Sequence, residues 1–183
     1  MKRSSFKAMK ILSALAVGIG SILFVDGDTW AQEKHKIAFK ALPANSKYTQ
    51  QLATDVGDVP GHQVRVLELH QVYPTDPPAF EGVKLKEAWT HGYSDYVDIN
   101  GHGWGYVVYT LENGDKIFGR YDGTSQTTQS SEGKQSAFSG VTTLTGGTGK
   151  FRGIRGMLRN TSSFDPKSGF NETQQEGEYW MGE

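Results

Sequence analysis

Between Val64 and Met181 the chain nowhere sustains an apolar repeat of three to four residues; it runs in short alternating segments separated by turns. A helix needs the first pattern to bury a stripe, and a half-buried strand needs the second. Val64–Tyr73 places Val64, Val66, Glu68, His70 and Val72 on one face and Arg65, Leu67, Leu69, Gln71 and Tyr73 on the other, until Pro74 and Pro77-Pro78 stop it. Lys86–Ile99 alternates in the same way, with Trp89, His91, Tyr93 and Asp95 opposite Thr90, Gly92, Ser94 and Tyr96, and Asn100-Gly101 reads as its turn. Trp104–Leu111 and Lys116–Tyr121 flank Glu112-Asn113-Gly114-Asp115, a hairpin signal, because Asn-Gly takes the left-handed dihedrals of a tight turn. Asp122-Gly123 reads as a further turn and the polar tract Thr124–Ser136 as an exposed loop. Ala137–Thr145, Phe151–Arg159 and Glu176–Met181 complete the strands. Gly103, Gly105, Gly119 and Gly140 fall in or beside strands, where glycine marks corners and close backbone approach. The expectation is all-β: a single antiparallel β-barrel of about eight strands, calycin-like rather than a flat sandwich.

The front of the chain has a different composition. Lys2, Arg3, Lys7 and Lys10 precede an uncharged run from Ile11 to Val25, and Thr29-Trp30-Ala31 ends in a small residue. A basic start, an apolar centre and a small-residue exit make a signal peptide, here residues 1–31 with cleavage after Ala31. The apolar run is short for a membrane span of about 20 residues, so no stable span is expected after processing. The expected location is the periplasm or the secreted fraction. Residues 32–63 read as an N-terminal extension with one short edge strand near Ala38–Pro43, and residues 64–183 as the barrel body.

Without residues 1–31 the chain carries 15 basic and 18 acidic residues, an ordinary soluble surface and not the concentrated positive face of a nucleic-acid binder. It has no cysteine, which excludes disulfides, thiolate metal sites and cysteine nucleophiles. Gly147-Thr148-Gly149-Lys150 invites a phosphate-loop reading, but Leu144 stands where the first glycine belongs and Phe151 where Ser or Thr belongs. No cofactor is expected. His35, His62, His70, His91 and His102 show no compact metal-ligand spacing, and no metal is expected either.

Gly140–Gly156 is the most distinctive segment. It contains Gly146-Gly147-Thr148-Gly149, the aromatic Phe151, and Gly153 and Gly156 in the next strand, which together read as a structural turn. With Gly114–Gly123 upstream, it resembles the allene oxide cyclase and dirigent-like barrel superfamily, more closely its small exported bacterial members of unassigned function. The likeness covers residues 88–160. Members of the group cyclise an unstable fatty-acid epoxide or steer phenoxy-radical coupling, so the resemblance implies a barrel and a possible homo-oligomer and leaves the chemistry open.

The candidate site follows from strand parity. His91 and Asp95 share a face, as do Glu68 and His70, and an imidazole beside a carboxylate can move protons on an organic molecule. These four are the candidate catalytic residues. Trp89, Tyr93, Trp104 and Tyr106 are the candidate aromatic wall for a ligand, with Arg120 for its anionic end. Parity leaves open whether that face is the interior or the solvent side. The functional expectation is an exported small-molecule-binding barrel, either a cofactor-independent cyclase, isomerase or lyase acting on a small apolar or aromatic compound, or a non-catalytic carrier or envelope protein.

Overall fold

The computed structural model describes residues 32–130 and 133–182. The expected signal peptide lies outside the described residues. From Gln32 onward the chain is one compact unit.

The described residues form ten strands: β1 His35–Ala41, β2 Ser46–Asp55, β3 His62–Val72, β4 Ala79–Phe80, β5 Val83–Val97, β6 Asn100–Leu111, β7 Lys116–Ser130, β8 Gly133–Gly147, β9 Ile154–Asp165 and β10 Phe170–Met181. All pairings are antiparallel, in the order β1-β10-β9-β8-β7-β6-β5-β3-β2, with β4 added beside β5. Residues 32–63 hold two full strands, β1 and β2, rather than one short edge strand.

The expected closed barrel of eight strands is not what forms. The last strand does return to the first, β10 pairing β1 from His35↔Tyr179 to Ala41↔Thr173. But β1 and β2, separated only by the 3-10 turn Pro43–Asn45, are the two free ends of the pairing path. The sheet is open along that seam, which side chains bridge instead: Asn171 Nδ2 donates to the Tyr48 hydroxyl at 3.2 Å and Gln51 Nε2 to the Pro166 carbonyl at 3.3 Å. The barrel and allene oxide cyclase-like descriptions are therefore corrected to an open, curled antiparallel sheet.

Two turns also differ from expectation. The β5–β6 reversal uses Asp98 and Ile99, at φ 51° and 69°, rather than Asn100-Gly101. Positive φ at both central residues matches the twist of a hairpin, and Asn100 braces the turn by donating Nδ2 to the Asp98 carbonyl at 3.0 Å. Asp122-Gly123 lies inside β7, and most of the tract read as a loop continues β7 or begins β8, paired from Thr124↔Ser139 to Ser130↔Gly133.

One half of the concave face is apolar. Ile37 and Phe39 of β1, Leu85 of β5, Tyr109 and Leu111 of β6, and Leu158 of β9 belong to a single buried cluster. Phe80, on the two-residue β4, is fully buried in it, with its ring centroid 5.1 Å from that of Tyr179. Burying such a ring is worth about 1.5–3 kcal/mol. The other half of the same face is polar. The division reverses along successive strands: on β8 the apolar residue Leu144 lies towards the C-terminus and Ser136 towards the N-terminus, whereas on β9 Ile154 comes first and Asn160 later. Antiparallel pairing gathers the polar halves at one end.

Candidate functional site

The polar end holds a cavity of about 310 Å³. Its boundary with the apolar core is a layer of hydrogen-bonded side chains. The Tyr109 hydroxyl donates to Gln175 Oε1 at 2.7 Å, Asn160 Nδ2 donates to Thr142 Oγ1 at 2.6 Å, and Gln71 Nε2 donates to Asn171 Oδ1 at 3.3 Å. Such pairing is what makes buried polar groups tolerable. Ser94 Oγ and Asn160 Oδ1 are buried without a partner among the described residues.

The walls are aromatic, and glycines make room for them. A Cβ at Gly92 would collide with the Tyr121 hydroxyl, and one at Gly103 would lie 2.8 Å from the Tyr96 hydroxyl. At Gly123 it would lie 2.6 Å from Phe138 Cζ. The rings of Tyr121 and Phe138 meet edge to face at 5.9 Å. Burial pushes the phenol of Tyr96 up to about 12 and raises those of Tyr121 and Tyr48. All three hydroxyls therefore stay protonated at neutral pH and can donate hydrogen bonds.

Leu52 and Ala53 of β2, Arg65 of β3, and Pro166 and Lys167 after β9 border the cavity where the sheet is open. Arg65 projects to the concave side with Leu67 and Leu69. Its Nε and Nη2 donate to Gln63 Oε1 at 3.2 and 2.7 Å. Among the described residues no histidine, aspartate or glutamate lines the cavity.

The residues singled out from the sequence lie elsewhere. His91, Tyr93, Asp95, Trp104, Tyr106 and Arg120 do share a face, but it is the convex, solvent side. Cross-strand register brings His91 opposite Tyr106 and Tyr93 opposite Trp104. Tyr93 and Trp104 stack at 5.9 Å, and Arg120 lies 5.5 Å from the Tyr106 ring centroid. Tyr106 is 50% exposed and the His91 side chain 51%, so these groups form a surface ladder outside the 310 Å³ cavity; His91, Tyr93 and Glu68 border a smaller cleft of about 170 Å³. Tyr93 alone of the named aromatics borders the cavity.

The four candidate catalytic residues separate into different pairs. His91 Nδ1 is 3.4 Å from Glu68, which also accepts a 2.5 Å bond from the Thr49 hydroxyl. His70 stacks on Trp89 at 4.1 Å and bonds Glu87 at 2.9 Å. Asp95 pairs with His62 at 2.7 Å, not with His91. His102 pairs with Asp122 at 2.8 Å. Among the described residues no three His, Cys, Asp or Glu side chains are grouped to hold a metal ion.

The turn glycines pack against neighbouring backbone. Gly146 and Gly149 have φ of 146° and 53°. A Cβ at Gly147 would press on Phe151 Cβ at 2.9 Å, and one at Gly156 on Tyr179 Cα at 2.8 Å. At Gly153 it would collide with the Gly182 carbonyl.

Sequence reasoning passed over Tyr48, Arg65, Tyr96, Tyr121, Phe138 and Asn160. The signal that could have found them is glycine parity. Gly92 shares a face with Tyr96, and Gly119 and Gly123 share one with Tyr121. A face on which glycines alternate with tyrosines is one on which large rings lie flat against backbone.

Fold and site together define an all-β domain, open at one seam, with a plugged apolar end and a tyrosine-walled cavity at the other. No family model matches the chain, and no curated protein matches it.

Proposed function

We propose that the domain is an exported binding protein that holds one small apolar or aromatic molecule in its concave cavity. The observation that carries this reading is the lining. Tyrosine and phenylalanine rings supply apolar contact, their hydroxyls and a few amides supply orientation, and the volume sits at the lower end of the 300–1,000 Å³ typical of small-molecule sites. The non-catalytic form is favoured over a cyclase or isomerase. Proton transfer near neutral pH needs a group titrating there, and the cavity offers protonated tyrosines with no imidazole or carboxylate among the described lining residues.

Binding is testable with an aromatic dye such as 8-anilinonaphthalene-1-sulfonate. Its fluorescence should rise saturably with wild-type protein. The rise should be lost in Thr90→Trp, which fills the cavity from β5, while the circular dichroism spectrum keeps its strand signature. Equal dye binding by both proteins would exclude the cavity as the site. Export is the second part of the proposal. It is supported by the signal-peptide pattern of residues 1–31 and by a strand beginning at His35, the first among the described residues and just beyond the expected cut. Expression in a Gram-negative host should give a periplasmic product starting at or near Gln32; a cytoplasmic product that keeps Met1 would refute it.

A further inference from the structure

We infer that the cavity selects a compact aromatic carboxylate, its anionic group held at the open seam by the guanidinium of Arg65. The inference rests on the binding reading above and gives the ligand a charge, a shape and an orientation. Arg65 is partly buried, faces inward, and has no carboxylate within ion-pair distance among the described residues; its hydrogen bonds go to the neutral Gln63. Gln63 is itself anchored, its Nε2 donating to Asp55 at 2.8 Å, so the guanidinium is aimed from behind. An inward-facing cation left without a counterion is uncommon, because desolvated charge is costly unless paired.

The surroundings fit an anion as well. Arg65 is close enough to Tyr48 and Tyr96 for its charge to favour their ionised forms against the effect of burial. Those two hydroxyls can add hydrogen bonds to an anion held there. Lys167 adds a second positive charge at the mouth. Asp165, whose charge reaches Tyr48, is engaged locally, accepting a 2.9 Å bond from the Lys167 backbone N–H. A planar guanidinium fork matches a carboxylate with two parallel hydrogen bonds. Flat walls of Tyr96, Tyr121 and Phe138, together with the limited volume, suit one or two rings better than a long flexible chain.

The experiment compares 2-naphthoate, the neutral 2-naphthamide and dodecanoate by isothermal titration calorimetry on the mature protein and on Arg65→Gln and Arg65→Lys. The carboxylate should bind wild type roughly tenfold or more tightly than the amide, as a charge-assisted bond allows. Arg65→Gln should erase that preference, weakening carboxylate binding about tenfold or more and amide binding by far less. Arg65→Lys, which keeps the charge and loses the fork, should fall between and guards against a folding artefact. Equal binding of acid and amide to wild type overturns the inference and leaves the cavity reading standing. Dodecanoate binding as tightly as 2-naphthoate overturns the aromatic part. Failure of all three to bind removes both the inference and the reading beneath it.

Discussion

His62 is gripped from two sides. Its Nδ1 is 2.6 Å from Asp58 in the β2–β3 turn and its Nε2 is 2.7 Å from Asp95 on β5. A neutral imidazole has one N–H, so only the protonated ring can donate to both carboxylates. The Asp95 bond, then the Asp58 bond, accordingly raise the His62 pKa above 6.5, and the His62 bond lowers that of Asp58 below 3.8. A raised folded-state value means that the stabilisation from His62 is complete below about pH 6.5 and is lost as pH rises through the folded pKa. The Asp58 contribution has the opposite sense: it is present above the unfolded value and lost as pH falls through the depressed one. The clamp is therefore tightest between these two limits. In NMR titrations the His62 ring should titrate above a free histidine, and Asp95→Asn should move its midpoint down; an unmoved midpoint would show that the pair does not couple. None of this was visible in the sequence, where Asp58 and His62 are four apart in the stretch read as an N-terminal extension and Asp95 is far along the chain.

At the scale of strands and turns, glycine was the hardest residue to read. Asp122-Gly123 has turn composition, yet Gly123 lies mid-strand because Phe138 crosses the backbone there. A Cβ would sit 2.6 Å from both Phe138 Cζ and Gly140 Cα. Gly123→Ala should therefore destabilise the domain by about 1–3 kcal/mol, the usual cost of overpacking, read as a lower urea midpoint with an unchanged slope. A variant as stable as wild type would mean that Phe138 does not lie against this wall. The tract from Thr124 misled for a related reason. Ser, Thr and Gln suggest an exposed loop, but backbone pairing with β8 satisfies the strand, and Thr127 and Ser136 add a cross-strand hydroxyl bond of 2.9 Å. Asn113-Gly114, by contrast, turns where it was expected, with Gly114 at φ 87° between β6 and β7, because local sequence alone sets that geometry.

For the molecule as a whole, the curled sheet depends on what fills its apolar end. Phe80 belongs to a strand of two residues, too short to be recognised by alternation, yet it is fully buried and its ring packs near those of Phe39, Tyr109 and Tyr179. Phe80→Ala should cost about 3–5 kcal/mol through lost transfer energy and the hole left behind. Calorimetry should show a much lower Tm for this variant. A change of under a degree or two would mean that the apolar end does not rely on β4. Since Phe80 does not line the cavity, ligand binding at low temperature should persist in any folded fraction.

Alternation and turn chemistry were enough to establish an all-β chain, because the period of two and the residues of tight turns are local properties. They also grouped His91, Tyr93 and Asp95 on one face of β5 correctly. The direction of that face was decided only by tertiary structure. Both sides of β5 carry aromatic and polar residues, so the pattern is symmetric until curvature makes one side concave and puts Tyr96 inside and Tyr93 largely outside. Closure was likewise decided at long range. A strand's sequence says that its edges want partners, but which edges meet depends on strands more than a hundred residues apart. Here β10 returned to β1 while β1 and β2 stayed unpaired with each other, leaving the seam on which Arg65 and the cavity open.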